Sequence, residues 1–242
     1  MTIRTILELL SRAITLLLVL PVHEAAHALV AKKLGDRTSE DRITLNPFVH
    51  LDLVGSVLIM LTGFGWAKPV QVNPNNMLRT ENAEYTKKKR RLKINNYRAG
   101  FALTALAGPV SNLLAALVSA LAFALILCTE KGLAAYASSE ITPLSSTLIL
   151  LQFLVQINIG LAVFNLIPIP PLDGFNVMRY FTSERVDRWF YMHNQQIQLG
   201  FLGVLIFMRY IPSQYNPLVF ISSKLTDLVY QLVLNIPEIR WN

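Results

Sequence analysis

The sequence predicts an all-α polytopic membrane protein with about five to six transmembrane helices. Hydrophobic residues make up 53% of its 242 residues and charged residues only 15%; soluble domains carry about 25% charged residues. Several uncharged stretches exceed the roughly 20 residues that a helix needs to cross a bilayer. Because these apolar runs are continuous rather than alternating, they favour helices over a β-barrel.

The apolar stretches define the order of the predicted elements. The predicted spans are residues 1–35, 101–129, 141–172, 197–208 and 218–236, of which the fourth is marginal in length. Residues 53–61 are apolar but too short to span, and the glycines that follow indicate a re-entrant or hairpin element. In residues 67–74, Val70 and Val72 alternate with polar residues between two prolines, which predicts a short edge strand.

Charge is distributed very unevenly along the chain. The net charge is +7, and residues 79–98 carry eight basic residues against two acidic ones. Such a loop is cytoplasmic by the positive-inside rule, so we expect contact with membrane lipid and no nucleic-acid partner. The single cysteine, Cys128, excludes an internal disulfide framework and a C-x-x-C metal motif. No cleavable signal peptide is expected.

The first span contains the sequence His-Glu-Ala-Ala-His at residues 23–27. On a helix, His23 and His27 share one face, where two imidazoles can bind the same zinc ion. Glu24 lies beside them and is placed to take a proton from the attacking water. Ionisable residues inside an apolar helix indicate a functional site. The alternative is a pair of packing histidines with a satisfied glutamate.

A catalytic zinc site needs a third protein ligand, and the residues leave several candidates open. These are Asp173, His50, Asp52 and His193. If residues 79–98 are cytoplasmic, Asp173 lies at the inner end of its span, at the depth expected for the two histidines. It follows a proline-rich turn and precedes Gly174, which allows a close approach of the backbone.

Three motifs in this order resemble the site-2 protease family of intramembrane zinc metalloproteases (peptidase family M50). They are residues 23–27, residues 107–112 and residues 165–174; residues 63–70 are also similar to the small prokaryotic subgroup without an extra sensory domain. The resemblance implies that His23, His27 and Asp173 bind one Zn²⁺ per chain and that Glu24 is the general base. It implies a catalytic core at residues 1–178, with a cytoplasmic loop and two further spans at residues 179–242.

The resemblance also suggests roles for several polar residues outside the ligand set. Asn112 corresponds to the family's polar residue near the metal and would donate a hydrogen bond to the oxyanion; the alternative is a contact between helices. Asn165 would contact substrate or satisfy backbone freed by Pro168. The segment Val70-Gln71-Val72 would capture an unwound substrate by strand addition; the alternative is a hairpin packed over the site.

The expected function is hydrolysis of peptide bonds in transmembrane segments, in the prokaryotic cytoplasmic membrane with the active site toward the cytoplasm. Two other classes stay open: a transporter whose His and Asp residues bind or relay ions, and a proteolytically inactive metal-binding scaffold. Glu24 distinguishes them, because a zinc carrier does not need a carboxylate beside its ligands.

Overall fold

The computed structural model describes residues 9–10, 12–62, 66–78, 96–138, 140–208 and 210–234. Throughout these ranges the regular structure is helical, without strands, which confirms the all-α class. The helices are α1 (Arg12–Lys33), α2 (Pro47–His50), α3 (Leu53–Thr62), α4 (Pro74–Leu78), α5 (Tyr97–Leu127), α6 (Glu130–Ala137), α7 (Pro143–Asn165), α8 (Asp173–Phe181), α9 (Glu184–Met192), α10 (Asn194–Met208) and α11 (Pro217–Leu234).

Within the described ranges, four helices are long and apolar enough to cross a membrane: α1, α5, α7 and α11. The sequence had predicted about five to six. The difference lies in α10, whose 15 residues extend only about 22 Å. Helix α3, whose 10 residues extend about 15 Å, is too short to span, as predicted. Both are shorter than the roughly 30 Å hydrocarbon layer.

Helix α1 carries the His-Glu-x-x-His sequence and has a π-helical turn at Thr15–Val19, directly before it. Pro21 lacks the backbone N–H that would continue the regular hydrogen-bond ladder, which accounts for a wider turn at this point. The helix ends where predicted. Gly35 has a φ of 107°, a left-handed conformation typical of the residue that follows a helix.

The chain folds back on itself around α3, as expected for the hairpin form of the predicted re-entrant or hairpin element. The chain leaves His50, runs along α3, and returns so that Trp66 lies directly against Gly55. The Lys68 N–H then donates a hydrogen bond of 2.8 Å to the His50 carbonyl. Arg12 of α1 donates to the carbonyls of Met60 and Leu61, which satisfies the last turn of α3.

The predicted edge strand at Val70–Val72 is not a strand in the described part of the chain. Residues 66–73 have no regular secondary structure. The prolines at positions 69 and 74 lack donors for a strand ladder. Side chains from residues 36–42 instead form hydrogen bonds with the backbone of this segment. Ser39 donates to the Gln71 carbonyl at 2.8 Å, and Asp36 accepts from the Asn73 N–H at 2.6 Å.

The chain forms two compact units. The first comprises Met1–Ser111 and Phe164–Tyr210, and the second comprises Asn112–Val163 and Ile211–Asn242. The core of the second unit is a buried cluster of Ala116, Ala120, Ala124, Val155, Ile159 and Val233. The three alanines are four residues apart on one face of α5, and such small side chains allow close packing of helices in a bilayer. The division at residue 178 stays a prediction.

Candidate metal centre

The two histidines of α1 lie on one buried face of the helix. His23 and His27 are 4% and 6% exposed, and their Nε2 atoms are 3.1 Å apart. The four-residue spacing therefore brings the two imidazoles together as the sequence predicts.

Asp173 is the candidate third ligand that lies with the histidines. It is the first residue of α8, and its Oδ2 atom lies 3.2 Å from His23 Nε2 and 3.4 Å from His27 Nε2. Within the described residues, these three side chains are the only group of three or more that is arranged to hold a metal ion.

The other three candidates have different partners. His50 Nε2 lies 2.9 Å from the Thr44 carbonyl, which tightens the loop before α3. Asp52 accepts a 2.8 Å hydrogen bond from the Gly55 N–H and caps α3. His193 Nδ1 donates to the Trp189 carbonyl at 2.8 Å.

The three side chains fit a zinc ion in both spacing and chemistry. Ligands placed tetrahedrally about 2.1 Å from zinc are about 3.4 Å apart, close to the three separations observed here. The donor set of two imidazoles and one carboxylate is one that catalytic zinc sites use. Asp173 Oδ2 is buried and makes no hydrogen bond with the described residues, so its lone pairs are available to a cation.

A backbone contact fixes the orientation of one imidazole. His27 Nδ1 lies 2.7 Å from the carbonyl oxygen of Thr104 in α5. Because a carbonyl only accepts, Nδ1 must carry the proton, and the lone pair of Nε2 faces Asp173. This is the outer contact that metal-binding histidines usually make.

Two glycines make room for the cluster. A Cβ atom on Gly108 of α5 would overlap the rings of both His23 and His27. A Cβ atom on Gly174 would overlap the Leu166 carbonyl, so Gly174 allows the first turn of α8 to pack on the chain that leaves α7. The close backbone approach expected beside Asp173 is therefore present.

Glu24 is 9% exposed on the helix turn that carries the histidines. Its role as general base stays a prediction. The same holds for Asn165, the last residue of α7. Asn112 is fully buried in the second unit, where its amide donates a 2.8 Å hydrogen bond to Asn158 Oδ1. That contact is the bond between helices given as the alternative role of Asn112, and its proposed hydrogen bond to the oxyanion stays a prediction.

The segment Val70-Gln71-Val72 is held from one side. Gln71 and Asn73 are bonded to Ser39 and Asp36, whereas the backbone groups of Val70 and Val72 make no hydrogen bond with the described residues. The Val72 side chain packs on the cluster of Ala31, Leu34 and Met77, which joins the segment to the end of α1.

Asp36 is the centre of this attachment. It is 2% exposed and accepts hydrogen bonds from Thr38, Asn73 and Asn76. Burial by itself would raise the pKa of Asp36. The donated hydrogen bonds outweigh burial and hold that pKa below its ordinary value of 3.8.

Sequence reasoning missed Thr104, Asp36 and Asn158. The Thr104 contact uses a backbone carbonyl, which every residue type provides, so no sequence signal exists. Asp36 lies in a polar loop among other charges and has no distinguishing pattern. Asn158 did carry a signal, because it is an amide inside an uncharged span.

The long apolar helices and the His-His-Asp cluster define a polytopic membrane protein with a candidate metal centre. The chain belongs to peptidase family M50, whose model matches residues 11–208. This confirms the family resemblance noted for the three motifs. The chain is also 40% identical over 167 residues to a Bacillus subtilis (strain 168) protein described as "Putative zinc metalloprotease YwhC". That alignment covers 68% of this chain and 66% of the relative, just under two thirds of its length. No solved structure matches the chain.

Proposed function

We propose that this chain is an intramembrane zinc metalloendopeptidase that hydrolyses peptide bonds in transmembrane segments of other proteins. The proposal depends on one observation: His23 Nε2, His27 Nε2 and Asp173 Oδ2 form a triangle with sides of 3.1 to 3.4 Å. Both histidines lie on the spanning helix α1, which also carries Glu24. Membership of peptidase family M50 supports the reaction class, and the name of the Bacillus relative supports zinc.

His23, His27 and Asp173 would hold one Zn²⁺ per chain. When bound, the ion lowers the pKa of water to about 7 and polarises the peptide carbonyl. Glu24 would accept a proton from the attacking water and pass it to the leaving amine. The Asn112 amide would donate to the oxyanion, and Asn165 would contact the substrate backbone. The Thr104 carbonyl keeps His27 in the tautomer that binds metal.

Val70-Gln71-Val72 would capture the substrate as an added strand. Residues two apart in an extended chain direct their backbone groups to the same edge. Gln71 and Asn73 are bonded to the protein, and the backbone groups of Val70 and Val72 have no partner among the described residues. That alternation is what strand addition requires. A substrate helix would have to unwind before it could pair here.

The site would lie toward the cytoplasm of a prokaryotic cell membrane that the chain crosses several times. The basic residues 79–98 support this orientation by the positive-inside rule. Arg98, in the first turn of α5, donates to the carbonyls of Arg179 and Thr182, so the end of α8 lies beside the start of α5.

The test compares wild type, Glu24→Gln and Asp173→Ala in proteoliposomes that contain a model transmembrane substrate. We expect wild type to bind about one zinc per chain and to cleave. Glu24→Gln should keep its zinc and lose cleavage by about a hundredfold or more, and Asp173→Ala should lose both. Cleavage by Glu24→Gln at the wild-type rate would overturn the proposal, as would zinc flux across the vesicle without hydrolysis.

A further inference from the structure

Helix α9 presents an aromatic and basic face that is largely exposed, with Trp189 touching only the neighbouring rings of Phe190 and His193 among the ring contacts of the described residues. None of its nine residues, all of which the structure describes, is fully buried. Tyr191 is 86% exposed and Met192 68%, while Trp189 is 50% exposed. Phe181, at the end of α8, is 79% exposed. Large aromatic side chains of this kind are unfavourable in bulk water and are enriched at membrane–water interfaces.

Two arginines belong to the same exposed face. Arg185 and Arg188 are exposed and make no ion pair with the described residues. Of the carboxylates on α9, Glu184 is exposed in the first turn of the helix. Asp187 faces the other way and contacts Arg98 at 3.0 Å and Arg179 at 3.4 Å. The region is therefore positively charged, because it holds four arginines and two carboxylates: Arg98, Arg179, Arg185 and Arg188, with Glu184 and Asp187.

The opposite face of α9 fixes its depth relative to the bilayer. Arg98 lies in the first turn of α5, a membrane-spanning helix of 31 residues. A helix of that length extends about 46 Å, longer than the roughly 30 Å hydrocarbon layer, so its ends reach the headgroup region. The contact between Arg98 and Asp187 therefore holds α9 at headgroup level. A tilted ring contact between Phe175 and Phe190, with centroids 4.9 Å apart, attaches α9 to α8.

We infer that α9, with Phe181, is a membrane-interface anchor that binds anionic phospholipid headgroups. Trp189, Tyr191, Met192 and Phe181 enter the interface between headgroups and acyl chains. Arg185 and Arg188 bind lipid phosphates, for which guanidinium groups are suited by charge and shape. The anchor does not depend on the proposed hydrolysis. Because α8 begins at Asp173 and joins α9, the anchor also fixes the depth of the metal centre.

The experiment uses the emission of Trp189 in the full chain. Trp66→Phe and Trp241→Phe leave Trp189 as the only tryptophan of the three. The protein is reconstituted in phosphatidylcholine vesicles that contain one fifth phosphatidylglycerol, with bromine atoms on either lipid, near the headgroup or deep in the chain. We expect shallow bromines to quench Trp189 more than deep ones, and brominated phosphatidylglycerol to quench at least twofold more per molecule.

Arginine variants separate lipid recognition from simple proximity. Arg185→Gln/Arg188→Gln should reduce the preference for phosphatidylglycerol to parity, whereas the matched pair Lys131→Gln/Lys224→Gln, which removes two exposed charges elsewhere, should leave it unchanged. Equal quenching by both lipids in the unsubstituted protein would overturn the proposed headgroup recognition. Full quenching of Trp189 by aqueous iodide, with none by brominated lipid, would overturn the anchor itself and leave this face to water or to a protein.

Discussion

Gly108 lies so close to His27 that a single methyl group on its α-carbon would occupy the position of the imidazole. The same methyl group would also overlap the imidazole ring of His23. We therefore expect Gly108→Ala to displace both rings and weaken zinc binding at least tenfold. The measurement is competition with a chromophoric chelator, because it reports the metal site without depending on cleavage.

Gly160→Ala is the matched control for this change. Gly160 also lies within a spanning helix, and a Cβ atom there meets nothing within 4 Å. The control should keep its zinc affinity and its thermal stability. Equal zinc affinities of wild type and Gly108→Ala would show that the two histidines do not bind the metal in the arrangement described.

Val72→Pro tests strand addition directly. Proline removes the N–H that an added substrate strand would use, and one hydrogen bond of this kind contributes about 0.5–1.5 kcal/mol. We expect kcat/KM for a membrane substrate to fall by about two- to tenfold relative to Val72→Ala, which loses the same packing on Met77 but keeps the N–H. Indistinguishable rates for the two variants would rule out a role for this N–H in capture.

The ionised Asp36 should hold residues 66–73 in place at neutral pH. Asp36→Asn replaces one acceptor oxygen with a donor that faces the Asn73 N–H, and we expect it to destabilise the attachment by about 1–3 kcal/mol. Amide hydrogen exchange at Gln71–Asn73 is the measurement, with exposed Asp41→Asn as the control.

The pH dependence of that attachment has a definite sign. The pKa of Asp36 in the folded protein lies below its ordinary value of 3.8. Its contribution is therefore complete above about pH 4 and is lost as the pH falls through 3.8 toward the folded value. The difference between wild type and Asp36→Asn should stay constant from pH 7 to pH 5 and shrink below pH 4. A difference that disappears between pH 7 and pH 5 would assign the effect to another group.

Asn112 and Asn158 share one hydrogen bond, which allows structure and catalysis to be separated. Asn112→Leu and Asn158→Leu each break this contact, at a cost of about 0.6 kcal/mol for a bond between membrane helices. If Asn112 also stabilises the oxyanion, we expect Asn112→Leu to lower kcat about a hundredfold and Asn158→Leu only slightly. Melting temperatures check that both variants lose similar stability. Equal loss of kcat would leave Asn112 with a packing role alone.

The sequence was most informative where one spacing dictates one arrangement. Residues four apart on a helix share a face, so the pairing of His23 with His27 followed from the periodicity of α1 alone. The hairpin at α3 followed from the length of its apolar run. The number of spans was less certain, because α10 is as apolar as a span but too short to be one.

The parts that depend on distant contacts were not accessible in the same way. The alternation of Val70 and Val72 with polar residues predicted an edge strand, and this prediction was wrong. The polar positions Gln71 and Asn73 bond to side chains of residues 36–42 and not to a partner strand. The choice of Asp173 over His50 needed the family motif, since both are polar residues beside apolar runs. The depth of α9 depends on the Arg98–Asp187 ion pair, which joins residues far apart in the chain.

The proposed ligand triangle joins distant parts of the chain, with two corners on α1 and the third on α8. During synthesis, α1 emerges long before Asp173, and an imidazole pair alone holds a divalent ion poorly. A nascent chain would therefore stay chemically inert in the membrane until α8 has been translated and has docked. For the proposed endopeptidase, such a delay would protect the biosynthetic machinery, and the unfinished chain itself, from premature cutting.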